Sequence, residues 1–195
     1  CETLIHLSQG QLILENCQCL ATVSTMIWIE GLHTFVTLQE CKITDSQGTG
    51  ILFSQQSRGI IKNCEITNHA GHGVKILSES NPSFFESQIS NNHKNGISIH
   101  SAKGRFEYCQ LQNNSAHGCL IQAAELSLKH CYISQNGKAG LSFQQKSSGT
   151  FEFCKIEGNR GVGVAIETES HPNFHQCQIY EGKIAGVYVA KGGKG

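Results

Sequence analysis

The stretch Gly163-Val164-Ala165-Ile166, followed eleven residues on by Cys177-Gln178-Ile179 and then by Gly186-Val187-Tyr188-Val189, decides the fold. Working outward from it, one frame recurs along the chain, a Cys followed two positions later by Ile or Leu. The copies are Cys41-Lys-Ile43, Cys64-Glu-Ile66, Ser87-Gln-Ile89, Cys109-Gln-Leu111, Cys131-Tyr-Ile133, Cys154-Lys-Ile156 and Cys177-Gln-Ile179, at steps of 23, 23, 22, 22, 23 and 23 residues. Nine residues after each block stands a Gly: Gly50, Gly73, Gly96, Gly118, Gly140, Gly163 and Gly186. Three residues before each block stands a large apolar side chain: Leu38, Ile61, Phe84, Phe106, Leu128, Phe151 and Phe174. The positions one and three after each Gly are apolar again, as in Ile51/Phe53 and Val74/Ile76. That alternation is the period of a strand with one buried face.

A unit with three strand-sized apolar pieces cannot bury its face until a neighbour stacks on it, so a repeat of this length predicts a solenoid. Helical repeats need about 33 or more residues, and the Leu/Asn consensus of leucine-rich repeats is missing. The sequence therefore predicts an all-β, right-handed parallel β-helix of about eight coils, with 22–23 residues per coil. Residues 1–195 read as a single β-helix domain, with residues 10–40 as a degenerate first coil and residues 36–195 as regular repeats. The repeated Gly marks a corner with no room for a side chain or with positive φ. The chain starts at Cys1 rather than Met and shows no C-terminal cap after Gly193-Lys-Gly195, so it reads as a fragment of a longer protein.

Between each Ile and Gly lies a polar turn, including Asn68-His69, Asn91-Asn92, Asn113-Asn114 and Gln135-Asn136. Stacked amide side chains there are expected to form a structural ladder. The Cys column shares its frame with buried apolar columns and reads as buried free thiols. Ser87 interrupts it, which argues against a disulfide framework. Free thiols imply a reducing compartment, cytoplasmic or nuclear.

Fifteen Lys+Arg against fifteen Asp+Glu give a net charge of zero, which speaks against nucleic acid or an acidic membrane as the partner. The longest apolar run is far below the roughly 18–20 residues a spanning helix needs. Glycosidic cleavage requires converging carboxylates, and a Ca²⁺-dependent lyase wants clustered Asp. The chain has one Asp, Asp45, and spreads Glu65, Glu86 and Glu157 over different coils. His69, His72, His93 and His117 lie in neighbouring turns, where a metal or acid–base site is conceivable but polar turn residues are the simpler reading. No catalytic residue, cofactor site or metal site is assigned.

Phrases such as Glu79-Ser-Asn-Pro82-Ser-Phe84 and Tyr180-Glu-Gly182-Lys-Ile-Ala-Gly186-Val-Tyr-Val189 resemble the β-helix repeats of the F-box only proteins, which are substrate-recognition subunits of cullin-RING ubiquitin ligases. That β-helix in turn resembles carbohydrate-binding and sugar-hydrolase repeat modules. The resemblance implies a non-catalytic protein-interaction solenoid, an adaptor or a signalling or cell-division scaffold. The family usually carries Asn where this chain has its Cys column, and no F-box segment is present. The frame exposes one column at Lys42, Glu65, Gln88, Gln110, Tyr132, Lys155 and Gln178, and a second through Leu52, Lys75, Ser98, Leu120, Ser142, Ala165 and Tyr188. Tyr132, Tyr188 and Leu120 are the expected anchors for a protein partner, because aromatic side chains dominate binding hot spots. The alternative from another class is a carbohydrate-binding or polysaccharide-cleaving β-helix.

Overall fold

The computed structural model describes residues 2–195; Cys1, on which the fragment reading partly rests, lies outside them. Three parallel sheets run the length of a right-handed coil. Sheet A has nine strands, from Thr3–Leu7 to Val187–Val189; sheets B and C have eight each, from Gly10–Glu15 to His171–His175 and from Gln18–Leu20 to Gln178–Tyr180. Successive coils pair in register, so each sequence column becomes a physical row: Ile66, Ile89, Leu111, Ile133, Ile156 and Ile179 align across sheet C. The stack begins earlier than residue 10. Thr3–Leu7 already pairs with Thr25–Glu30, whose Met26, Ile27 and Ile29 are fully buried.

The apolar rows meet inside the coil, where Phe84 stacks on Phe106 at 4.5 Å between ring centroids and Phe151 on Phe174 at 5.0 Å. Sheets B and C are joined by a single left-handed residue in each coil, such as Asn63 (φ 51°), Tyr108 (φ 55°) and Phe153 (φ 54°). The Cys row follows at once. Each thiol donates to the carbonyl two residues back and many also to the preceding coil, as Cys131 does to Lys129 O and Phe106 O, both at 3.4 Å. Ser87 performs the same task with its hydroxyl, donating to Phe85 O at 2.8 Å and accepting from Cys64 N at 3.1 Å. The nine cysteines among the described residues are free thiols.

The corner from sheet C to sheet A explains the glycine row. Asn92, Asn114, Asn136 and Asn159 are fully buried there. Each Oδ1 accepts from the backbone N–H and, from Asn114 on, the Nδ2 of the preceding coil, at 2.8–3.2 Å. A Cβ on Gly96 would stand 2.7 Å from Asn114 Nδ2 and 2.8 Å from Gly118 O. Crowding, and not positive φ, therefore reserves this row for glycine.

Candidate functional site

The 22-residue coils are the key to the molecular surface. In sheet A Leu77 pairs with His100, and in sheet B Ser83 pairs with Arg105, so six steps of chain in one coil match five in the next. One residue is missing from the corner between sheets A and B. The following coil, pairing Gln122 with His100 and Glu125 with Lys103, is equally short, and the full length returns where Gln144 and Ser148 pair with Gln122 and Glu125.

Long corners place two consecutive residues in the left-handed region, Ser78/Glu79 at φ 51° and 60° and Gln145/Lys146 at φ 58° and 59°. They then bury a serine, Ser80 or Ser147. The short corners have one left-handed residue, Ser101 (φ 48°) or Ala123 (φ 47°), and bury Ala102 or Ala124 in the serine's place. Two adjacent low corners between high ones make a notch. It encloses about 630 Å³, with Ala102 and Ala124 in its floor, Arg58, Glu79 and Asn81 at one end, and Lys146 and Ser148 at the other. At about 4.8 Å per coil, the end walls at Glu79 and Lys146 stand three coil steps, roughly 14 Å, apart.

The notch carries Arg58, Lys103 and Lys146 against Glu79 and Glu125, three positive charges to two negative. Glu125 accepts from Lys103 at 2.7 Å, Lys146 turns to Glu169 at 3.3 Å, and Gln56 donates to Glu79 at 3.1 Å. The Arg58 guanidinium has no hydrogen bond or ion pair among the described residues, leaving its five donors open to a ligand. The outer row of sheet A, Lys75, Ser98, Leu120 and Ser142, runs beside the notch, and the exposed His100 ends the strand that enters Ser101.

The two expected columns exist as physical rows. Lys42, Glu65, Gln88, Gln110, Tyr132, Lys155 and Gln178 align on sheet C, and Leu52 through Tyr188 align on sheet A, where Ser142 is buried and Tyr188 exposed. The sheet C anchors are committed to one another. Tyr132 donates its hydroxyl to Glu157, and the Lys155 ammonium bonds Glu157 at 3.0 Å while lying 5.2 and 5.3 Å from the Tyr132 and Tyr180 ring centroids. These hydroxyl and ammonium donors hold the Glu157 carboxyl down at about 2.

The histidines are dispersed by role. His69 is fully buried as a member of the amide ladder, with Nδ1 accepting from Ser46 N at 3.2 Å and Nε2 donating to Ile43 O at 3.1 Å, a tautomer assigned from these partners. His72 accepts from Asn95 N at 3.3 Å, and His117 N donates to Asn95 Oδ1 at 3.0 Å. Burial pushes all three imidazoles down to about 4. His93 is exposed. Among the described residues no group of three or more His, Cys, Asp or Glu is placed to hold a metal ion.

This architecture defines a class, the parallel β-solenoid with a grooved corner. The chain belongs to the right handed beta helix region family, whose model matches residues 3–125 and 101–195. No curated relative matches it in sequence. Among solved structures it is similar to the mannuronan C-5 epimerase AlgE4 A-module of Azotobacter vinelandii, with a TM-score of 0.80 at 9% identity over 97% of this chain and 59% of that one. It is similar to the periplasmic alginate epimerase AlgG T265N T268M double mutant, with a TM-score of 0.73 at 13% identity over 96% and 47%. Pectate lyase Pel9A overlaps with a TM-score of 0.60 at 10% identity over 97% and 69%. The chain thus spans 59% and 47% of the two epimerases' lengths, and at such identities the likeness is one of fold.

These comparisons correct two expectations. The adaptor or scaffold role drawn from the F-box resemblance is not supported, and neither is the exclusion of catalysis, because enzymes that act on polysaccharides carry this same coil stack. The physical reason lies in the two surfaces. The expected anchor Tyr132 and its row neighbour Lys155 are already satisfied within the fold, while a concavity of about 630 Å³ lies at a corner that no expected column includes. The pair of 22-residue steps was its sequence signal.

Proposed function

We propose that this β-helix binds a polysaccharide and acts on it, seating a saccharide unit in the notch between sheets A and B. The observation that carries the reading is the notch itself: two adjacent shortened corners, a small-residue floor, and an uncommitted Arg58 that gives the lining its one excess positive charge. A carboxylate-bearing sugar suits it, since a guanidinium binds a carboxylate through two parallel N–H donors. The relatives named for mannuronan, alginate and pectate support this choice of ligand. Proton abstraction beside a sugar carboxylate needs a cation on that carboxylate and a base near it. Arg58 fills the first role. Leu120 and Ser98 on sheet A extend the contact surface for a longer chain.

Affinity electrophoresis through gels containing alginate, pectate or a neutral glucan tests the binding, with NMR of the recovered polymer reporting cleavage or inversion. Retardation by an acidic polymer that drops at least tenfold in Arg58→Ala supports the reading. Equal mobility in all gels, for wild type and variant alike, refutes it.

A further inference from the structure

The second corner, between sheets B and C, carries a ring ladder on the molecular surface. Tyr108 stacks on His130 at 4.8 Å and 10°, and His130 on Phe153 at 4.8 Å and 11°. His175 closes the Phe153 end edge-on, at 6.0 Å and 88°. No ring stacks on the other side of Tyr108 among the described residues; the next rung there is Glu86, one coil step away. In the same row the next two positions are Glu86 and Asn63, both exposed, and neither side chain has a hydrogen bond or ion pair among the described residues. Tyr108 itself is 57% exposed.

The arrangement is specific to this segment. Every coil bends here through one left-handed residue, at a cost of about 1–2 kcal/mol for a side chain other than Gly, and the other coils use Asn, Glu or Gln. Three successive aromatic rings serve no backbone need. Their mutual stacking fixes the Tyr108 ring before any ligand arrives, which removes an ordering cost from binding.

We infer that the exposed Tyr108 ring, with Glu86 and Asn63 beside it in the row, is a second saccharide subsite, one that takes a neutral pyranose. The ring's electron-rich face meets the sugar's C–H face, and Glu86 and Asn63 lie one and two coil steps beyond to accept from, and donate to, its hydroxyls. The Glu86 charge disfavours a uronate here, so the subsite is opposite in preference to the notch. The inference rests on the polysaccharide reading but uses separate residues.

Affinity electrophoresis with neutral polymers (a glucan, a mannan and a galactan) tests it, with Tyr108→Ala, Glu86→Gln and Tyr108→Phe examined beside wild type and with far-ultraviolet circular dichroism confirming the fold. The expected result is retardation of wild type by at least one neutral polymer. Tyr108→Ala lowers it tenfold or more and Glu86→Gln about threefold, while Tyr108→Phe retains most of it, and Arg58→Ala leaves it unchanged. Absence of retardation by all three neutral polymers, or retardation unaffected by Tyr108→Ala, overturns the subsite. Either result leaves the notch standing if acidic polymers still respond to Arg58→Ala.

Discussion

Asn114 gives both its backbone N–H and its side-chain Nδ2 to a single oxygen, Oδ1 of Asn136, at 3.1 and 3.0 Å. Asn136 repeats the act toward Asn159 and also donates to Leu111 O at 3.1 Å. Removing one rung therefore strands groups in two coils. Asn136→Ala leaves the Asn114 backbone N–H without a partner and takes one of two hydrogen bonds from Asn114 Nδ2 and the side-chain donor from the Leu111 carbonyl, in a dry corner, at a cost of about 2–4 kcal/mol. Urea denaturation measures it, and a loss under 1 kcal/mol would show that the rungs act independently.

The same ladder predicts which glycines tolerate a methyl group. Gly96→Ala presses a Cβ to within 2.7 Å of Asn114 Nδ2 and should lose about 1–3 kcal/mol or more. Gly186, in the last coil, has its nearest neighbour at 3.8 Å, so Gly186→Ala should change stability by less than about 0.5 kcal/mol. Thermal unfolding of the two variants should separate them clearly; equal losses would refute crowding as the cause.

Acid should loosen the stack through its buried imidazoles. Burial lowers His69, His72 and His117 from 6.5 to about 4. Their contribution is then complete above pH 6.5 and is lost as pH falls from there through 4, because the unfolded chain takes up these protons first. For His69 alone the loss approaches about 3 kcal/mol. His69→Asn installs the residue used in the next four coils, and its stability between pH 7 and pH 4 should fall less steeply than wild type. An unchanged slope would exclude His69 as the acid-sensitive group.

At the other end of the pH scale the thiols take over. Burial raises Cys64 from 9.0 to about 11. A group held protonated by folding supports the native state below 9 and ceases to do so as pH rises through 11. Ser87→Cys should be nearly neutral at pH 7, within about 1 kcal/mol, and should increase the alkaline sensitivity. In a thiol-titration assay on folded protein, the half-buried Cys17 should react well before Cys64 and Cys131, whose thiols are buried and raised.

The coil, its three apolar rows and its glycine corner were legible because each is a positional rule enforced by burial in successive repeats. Surface chemistry obeys no such rule. Tyr132 reads as an anchor in the linear frame, but its hydroxyl partner Glu157 sits 25 residues away and becomes a neighbour only when coils stack. His69 reads as a free turn residue until the ladder encloses it. The notch was present in the sequence as two steps of 22, yet a missing residue announces a depression only once register fixes which corner lost it.

That origin in coil length gives the last prediction. One residue inserted between Ser101 and Ala102 and another between Ala123 and Ala124, together with Ala102→Ser and Ala124→Ser, would rebuild both corners on the pattern of Ser78-Glu79-Ser80. The added backbone enters an exposed turn whose neighbours already use the longer form, and the restored serines can bond across coils as Ser147 N does to Ser170 Oγ at 3.1 Å. Stability should therefore hold within about 1 kcal/mol or rise, while the 630 Å³ notch closes and retardation by acidic polysaccharide falls at least tenfold. The longer variant should keep its response to neutral polymers, because Tyr108 lies on another corner. If it remains folded and binds the acidic polymer as wild type does, the saccharide does not sit between sheets A and B.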